Sequence, residues 1–300
     1  MTLSAVDGLP LGGVTVRIGS ATAVSAADGS FQMEQVASGP QTAVMSSASI
    51  VERHTTVTAL PAASVRESLI PATFDLTAFS QMFRGPSDRL QRWTNAPSLV
   101  VLTSVMNYTA GFGDQDNFFA TSDQLTDAET TLMIDQLTEA LALLTGNTFT
   151  SFASVERENH SSGDKVNTLR LGKIVIGRYN NIQGMLNTIG FGRWAIGAGG
   201  DVVGGSIFLD RDYDETHESR RLLRTHELGH ALGYNHVTAR VSIMNPAIGP
   251  EPTTFDRQGA IIAFQRPPGN QSPDSDPVAR TSTGLDAVVP STAEWSPPIF

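Results

Sequence analysis

The 300-residue chain contains no cysteine. Disulfides and thiolate metal sites are thereby excluded, and any metal must rest on His, Asp, Glu or backbone oxygen. No apolar run approaches the roughly 20 residues needed to span a bilayer. Basic residues are few: 20 Lys and Arg against 30 Asp and Glu give a formal net charge of −10. A surface of that sign offers neither nucleic acid nor an anionic membrane a basic face. Residues 1–20 lack a basic start followed by an apolar core, so no signal peptide is expected in this chain. What is present, 40% hydrophobic and 17% charged residues, suits a chain that builds a core, with room for two domains.

Residues 1–72 are rich in Val, Ala, Ser and Thr. Val14, Val16 and Ile18 alternate with Thr15 and Arg17, the period of a half-buried strand. Further strands are expected at Gln41 to Met45 and Thr55 to Leu60, and Asp28-Gly29 before Phe31-Gln-Met33 predicts a hairpin. Short strands at short spacing suggest a small all-β sandwich. The layout Gly8-Leu-Pro-Leu-Gly-Gly-Val14 followed by Asp28-Gly-Ser-Phe31 resembles the carboxypeptidase regulatory-like β-sandwich. That resemblance implies a non-catalytic module, a spacer or a unit that binds another protein or a surface. His54 reads as a solvated strand residue.

Residues 73–96 read as a connector with Pro86 and mixed polar content. From Ser98 the pattern changes. Ser98 to Asn107 predicts a buried strand, and Thr126-Asp-Ala-Glu129 is a capping box opening a helix with Met133, Leu137, Leu141 and Leu144 on one face. Strands are expected at Thr148 to Val155, Lys173 to Tyr179 and Ser206 to Asp210. Helices follow over Glu218 to Leu232 and Thr254 to Phe264. Beyond Arg266 the chain turns Pro-, Ser- and Asp-rich, so residues 267–300 are expected to lie along the surface or to be disordered.

The chemistry concentrates in residues 226–236, His-Glu-Leu-Gly-His-Ala-Leu-Gly-Tyr-Asn-His. Residues four apart share a helix face, so His226 and His230 can present two nitrogens to one ion, with Glu227 beside them as a base. Gly233 permits the positive φ that ends the helix and brings His236 back as third ligand. Three imidazoles and a water complete a tetrahedral Zn2+ with an open position, although cobalt, nickel or copper also accept such donors. Three of the chain's six histidines fall within these eleven residues, which packing alone does not explain.

This pattern, with Ser242-Ile-Met244-Asn-Pro246 a short gap later, resembles the metzincin clan of zinc peptidases, the Met-turn being matrixin-like. The resemblance covers residues 97–266 and implies an α+β catalytic domain with a mixed twisted sheet. It implies a secreted or cell-surface bacterial zinc endopeptidase in which His226, His230 and His236 hold the ion. Glu227 would activate the water, Met244 would floor the site, and the substrate would be a protein or peptide. It also implies a substrate-binding edge strand, for which Gly205, Ser206, Ile207 and Phe208 are the candidates. Val237 after the third histidine matches no particular metzincin family, and no tyrosine follows Met244 within the turn.

Two acidic stretches, Asp210 to Glu215 and Gly111 to Asp116, are candidate structural Ca2+ loops; the first is also explained by the preference of helix N-termini for negative charge. From another class, a secreted binding or adhesive protein on the same fold, catalytically silent, competes with the peptidase. Retention of Glu227 disfavours it. A third option is a metal-dependent hydrolase of non-peptide amides.

Overall fold

The computed structural model describes residues 1–108, 118–277 and 293–295. Six strands come first: β1 (Thr2–Ser4), β2 (Thr15–Ile18), β3 (Ala21–Val24), β4 (Gly39–Ser46), β5 (Arg53–Ala59) and β6 (Glu67–Leu69). Four form an antiparallel sheet in the order β3-β2-β4-β5, while β1 and β6 pair in parallel. Val16 and Ile18 turn inward beside exposed Arg17, and join Val14, Ala43, Met45 and Val57 in a separate small core. The hairpin expected at Asp28-Gly29 does not form. Asp28 instead accepts hydrogen bonds from the Ser30 backbone and hydroxyl, closing a local turn, and no strand follows at Phe31 to Met33.

The stretch expected as a connector is helical and partly core. Helix α1 (Leu76–Phe79), capped by Asp75, runs into a π-helical turn over Ser80–Arg84 and a 3-10 turn over Gly85–Ser87. Phe79, Met82 and Phe83 are fully buried, with the two rings 4.8 Å apart.

The remaining elements are β7 (Ser98–Leu102), β8 (Ser104–Tyr108), β9 (Phe118–Gln124), α2 (Asp127–Leu144), β10 (Val155–Glu158), β11 (Lys173–Asn180), α3 (Ile182–Leu186), β12 (Gly190–Ile196), β13 (Val202–Asp210), α4 (Arg211–Thr216), α5 (Arg220–Ala231), α6 (Thr254–Phe264) and β14 (Ala293–Trp295). They build a mixed sheet in the order β10-β7-β11-β13-β12-β14, with β8 on β11 and β9 on β8. Strands β10, β7, β11 and β13 are parallel; β12 runs antiparallel to β13, and β14 to β12. Apolar stretches in β7, β11 and β13 suit central parallel strands covered on both faces, whereas β10, Val-Glu-Arg-Glu, is an edge strand with no buried residue. Leu99, Val101, Ile174, Ile176, Ile207 and Leu209 enter the core beneath the helices, and Val100, Leu102, Val175 and Phe208 a second core opposite.

The Thr126–Glu129 capping box forms as its spacing predicts, and Thr253 with Asp256 makes another at α6. Two strand expectations shift. Thr103 breaks Ser98 to Asn107 in two, its backbone N–H donating to the Glu158 carbonyl, and the strand placed at Thr148 to Val155 begins only at Val155. Residues 267–277 are not a surface tail. Asn270 and Asp274 are fully buried there, because Arg53, Arg84 and Arg266 converge on them. Residues 278–292 and 296–300 lie outside the described residues. No helix among the described residues is long and apolar enough to cross a membrane.

Candidate metal centre

Helix α5 carries the first two histidines on a face turned inward; His226, Glu227 and His230 have no exposed surface. It ends as the glycine demands. Gly233 adopts φ +101°, its N–H donates to the His230 carbonyl (2.9 Å), and the Tyr234 N–H reaches back to the Gly229 carbonyl (3.0 Å). This is a Schellman closure, and it delivers His236 to the other two. The three Nε2 atoms then stand 3.0, 3.2 and 3.2 Å apart.

The hydrogen bonds decide what those atoms can do. His226 Nδ1 lies 2.7 Å from the Ile243 carbonyl, and His230 Nδ1 lies 2.7 Å from the Tyr234 carbonyl. A carbonyl only accepts, so each Nδ1 carries the proton. Burial holds His226 down to about 3, helped by the nearby His236, and His236 down to about 4; His230 is lowered as well, chiefly by burial. The imidazoles are therefore neutral at neutral pH, and the Nε2 of His226 and His230 face each other as lone pairs. Lone pairs at that distance repel unless a cation lies among them. Zinc–nitrogen bonds of about 2.0–2.1 Å in a tetrahedron put nitrogens about 3.3 Å apart, close to the spacing seen. Among the described residues this is the one group of three metal-ligating side chains that could hold an ion.

Glu227 sits beside the ligands with neither carboxylate oxygen hydrogen-bonded to a described residue. Burial alone raises its pKa well above the ordinary value. Strand β12 crosses α5 here on two glycines. A Cβ at Gly192 would meet the His230 Cβ at 2.6 Å, and one at Gly190 would meet Glu227 Oε1 at 3.1 Å. Two positions on, the Trp194 ring stacks parallel to His230 at 6.2 Å, and its Nε1 donates to Gln91. These three residues were not apparent in the sequence, although glycines spaced by two within a strand are a sign of close backbone approach.

Supports come from four directions. Met244 is fully buried against Gly229, where there is no room for a side chain, and its carbonyl accepts from the Val237 N–H. Asp256 accepts from the Ser242 hydroxyl (2.5 Å) and the Ile243 N–H (3.2 Å), fixing the turn whose Ile243 carbonyl orients His226. Asp214 accepts from Arg224, two residues before His226, and from Arg178. Gln81 Oε1 accepts from both the Thr238 and Ala239 N–H groups at 3.0 Å, just past His236.

Two sequence expectations are corrected. Gly205, Ser206, Ile207 and Phe208 do not form an edge: β13 lies between β11 and β12, and these residues are buried. A Cβ at Gly205 would lie 2.9 Å from the Ala231 carbonyl, so this glycine serves packing of the sheet on α5. The outer strand of the two is β12, whose far side pairs with β14. Asp210 to Glu215 do not gather around a cation either. Asp210 caps α4 (Tyr213 N–H, 3.2 Å) and accepts from the Gln183 N–H, Asp214 is neutralised by arginines, and Glu215 faces Arg211. The other candidate calcium loop, Gly111 to Asp116, lies outside the described residues. His217 caps α4, accepting from the Ser219 N–H, and His54 is a half-exposed residue of β5 beside Glu52.

No family model matches the chain, and no curated protein matches it.

Proposed function

We propose that the chain is a zinc-dependent endopeptidase of the metzincin type, preceded by a carboxypeptidase regulatory-like β-sandwich. The observation that carries this reading is the convergence of three neutral Nε2 atoms beside a carboxylate with no partner of its own. The four-stranded antiparallel sheet with its own core supports the N-terminal assignment, and α5 packed on a mixed sheet supports an α+β catalytic domain.

His226, His230 and His236 would hold the ion. Zinc bound there supplies a Lewis acid that polarises the scissile carbonyl and makes water more acidic. Glu227 takes the proton of the attacking water on a carboxylate oxygen and returns it to the leaving nitrogen. Its freedom from other hydrogen bonds leaves both oxygens available for that exchange. The Ile243 and Tyr234 carbonyls keep His226 and His230 in the tautomer that turns Nε2 inward, which is the usual role of such partners. Met244 and Trp194 wall the site with apolar surface and move no proton.

The test is cleavage of unfolded casein by the zinc-loaded chain, by the chelated chain, by the chain with zinc restored, and by Glu227→Ala. Cleavage that disappears with chelator, returns with zinc and falls about 10²–10⁴-fold or more in the variant is the expected result. One zinc per chain without cleavage would replace this reading with that of a binding protein.

A further inference from the structure

Strand β12 meets α5 at the candidate ligands themselves. A Cβ at Gly190 would lie 3.1 Å from Glu227 Oε1, one at Gly192 would lie 2.6 Å from the His230 Cβ, and the Trp194 ring is parallel to the His230 ring. One side of β12 is paired along its length with β13, from Gly190 opposite Leu209 to Ile196 opposite Val202. On its other side the chain lays down a strand of its own. There β14 runs antiparallel to β12, with Ala293 opposite Ala195, Glu294 opposite Trp194 and Trp295 opposite Arg193.

A sheet edge is what an extended peptide adds to, its main chain forming the ladder. A peptide laid along β12 would run beside the residues that touch Glu227 and His230. It would need the backbone of residues 193–195, which β14 takes, so the two exclude each other. With three paired residues, β14 is short beside a common strand of about five or six. Pro297 and Pro298, just after it, carry no N–H with which a ladder could continue. A pairing this brief opens and closes. A ligand that binds only the open form has its apparent affinity reduced by the open fraction.

We infer that β14 is an intramolecular competitor of substrate: residues 293–295 hold the edge of β12 and must leave before a peptide can lie beside the metal centre. The inference rests on the peptidase reading and adds to it a brake carried by the same chain.

The test compares the full zinc-loaded chain with the double variant Ala293→Pro, Glu294→Pro. Residues of an antiparallel pair alternate between exchanging hydrogen bonds with the partner strand and not doing so. One of the two prolines therefore removes a ladder bond in either phase, and neither position belongs to the metal centre. Amide hydrogen exchange over residues 190–196 reads the pairing, and initial rates on fluorescein-labelled casein read its effect. The variant should exchange faster in β12 and show a KM about tenfold lower, with kcat unchanged and one zinc per chain. Faster exchange with KM unmoved would overturn the inference, as would exchange identical in the two proteins; casein cleavage, and the peptidase reading with it, would stand in both cases. No cleavage by either protein at one zinc per chain would instead defeat the peptidase reading, and the competitor role with it.

Discussion

Two buried polar clusters organise this molecule, and they are built on opposite rules. Around Asp274, carboxylates meet guanidinium groups one for one: Arg53 at 3.2 Å, Arg266 at 2.7 Å through two bonds, with Asn270 and Asp276 completing the set. Burial pushes the Asp274 carboxyl up, but Arg266 and Arg53 more than offset this and bring it below the ordinary value. Around His226 only the outer nitrogens are matched, the Nδ1 of His226 and His230 each meeting a backbone carbonyl. Lone pairs face lone pairs, and a carboxylate stands without a donor. Burying polar groups costs free energy unless they are paired, so the first cluster, in which Asp274 and Asp276 both meet donors, reads as a staple, although Arg84 Nε at its side has no acceptor among the described residues. The second is stabilised only by something that enters it.

The comparison breaks most severely at the staple. Asp274→Asn leaves Arg53 and Arg266 buried without their shared charge, and should cost about 3–5 kcal/mol in urea unfolding. Zinc content should not change, since the cluster touches no ligand. A loss below 1 kcal/mol would mean that the cluster is not the staple described. The metal centre should respond to the opposite manipulation. Added zinc at a hundredfold excess over Kd should raise stability by about 2.7 kcal/mol, and His230→Ala should abolish that gain. Calorimetry with and without metal reads both, and equal zinc stabilisation of the two proteins would discredit the three-histidine assignment.

Smaller effects sharpen the contrast. Gln81→Ala removes two hydrogen bonds from the turn behind His236, worth about 0.5–1.5 kcal/mol each. Zinc affinity should drop by about tenfold in competition with a chromogenic chelator, while Asp274→Asn leaves it alone. Last comes acid. Burial would raise the Glu129 carboxyl, yet hydrogen bonds from Arg178 and Thr126 prevail and bring it from 4.5 down to about 2. A depressed carboxyl adds stability that is whole above 4.5 and vanishes as the pH falls toward about 2. The melting temperature should decline across that window, and Glu129→Gln should shrink the decline; parallel curves would remove Glu129 from the account.

The two clusters also differ in how far the sequence reveals them. His226, Glu227, His230, Gly233, His236 and Met244 lie within one helix and two turns, so spacing alone brings them together. The staple joins Arg53 to residues 221 and 223 positions away, and no local pattern encodes that. The same divide runs through the site itself. Gln81 meets Thr238 across 157 positions, and a proline-marked stretch gave no sign that it would be helical. Asp256 was within reach, because Thr253-x-x-Asp is a capping signal, but its second task on the Ser242 turn was not. Strand β12 was overlooked since Gly190-Phe-Gly192 reads as loop by propensity. Its glycines are there for closeness to α5. Taking Gly205 to Phe208 for an edge had a related cause: periodicity shows that a strand is buried, not what lies on either side of it.

The partnership of Arg53 with Asp274 and Asp276 has a consequence in time. The N-terminal sheet emerges early from the ribosome, at a pace of about 5–20 residues per second. Arg53 can meet Glu67, 14 positions on, early, but must wait until residue 276 has been made before it meets both Asp274 and Asp276. Contacts so distant along the chain also slow folding, because long loops must close before they are rewarded. The synthesis of residues 274–276 therefore completes the anchoring of β5, and a chain halted before residue 274 leaves Arg53 without those two carboxylates.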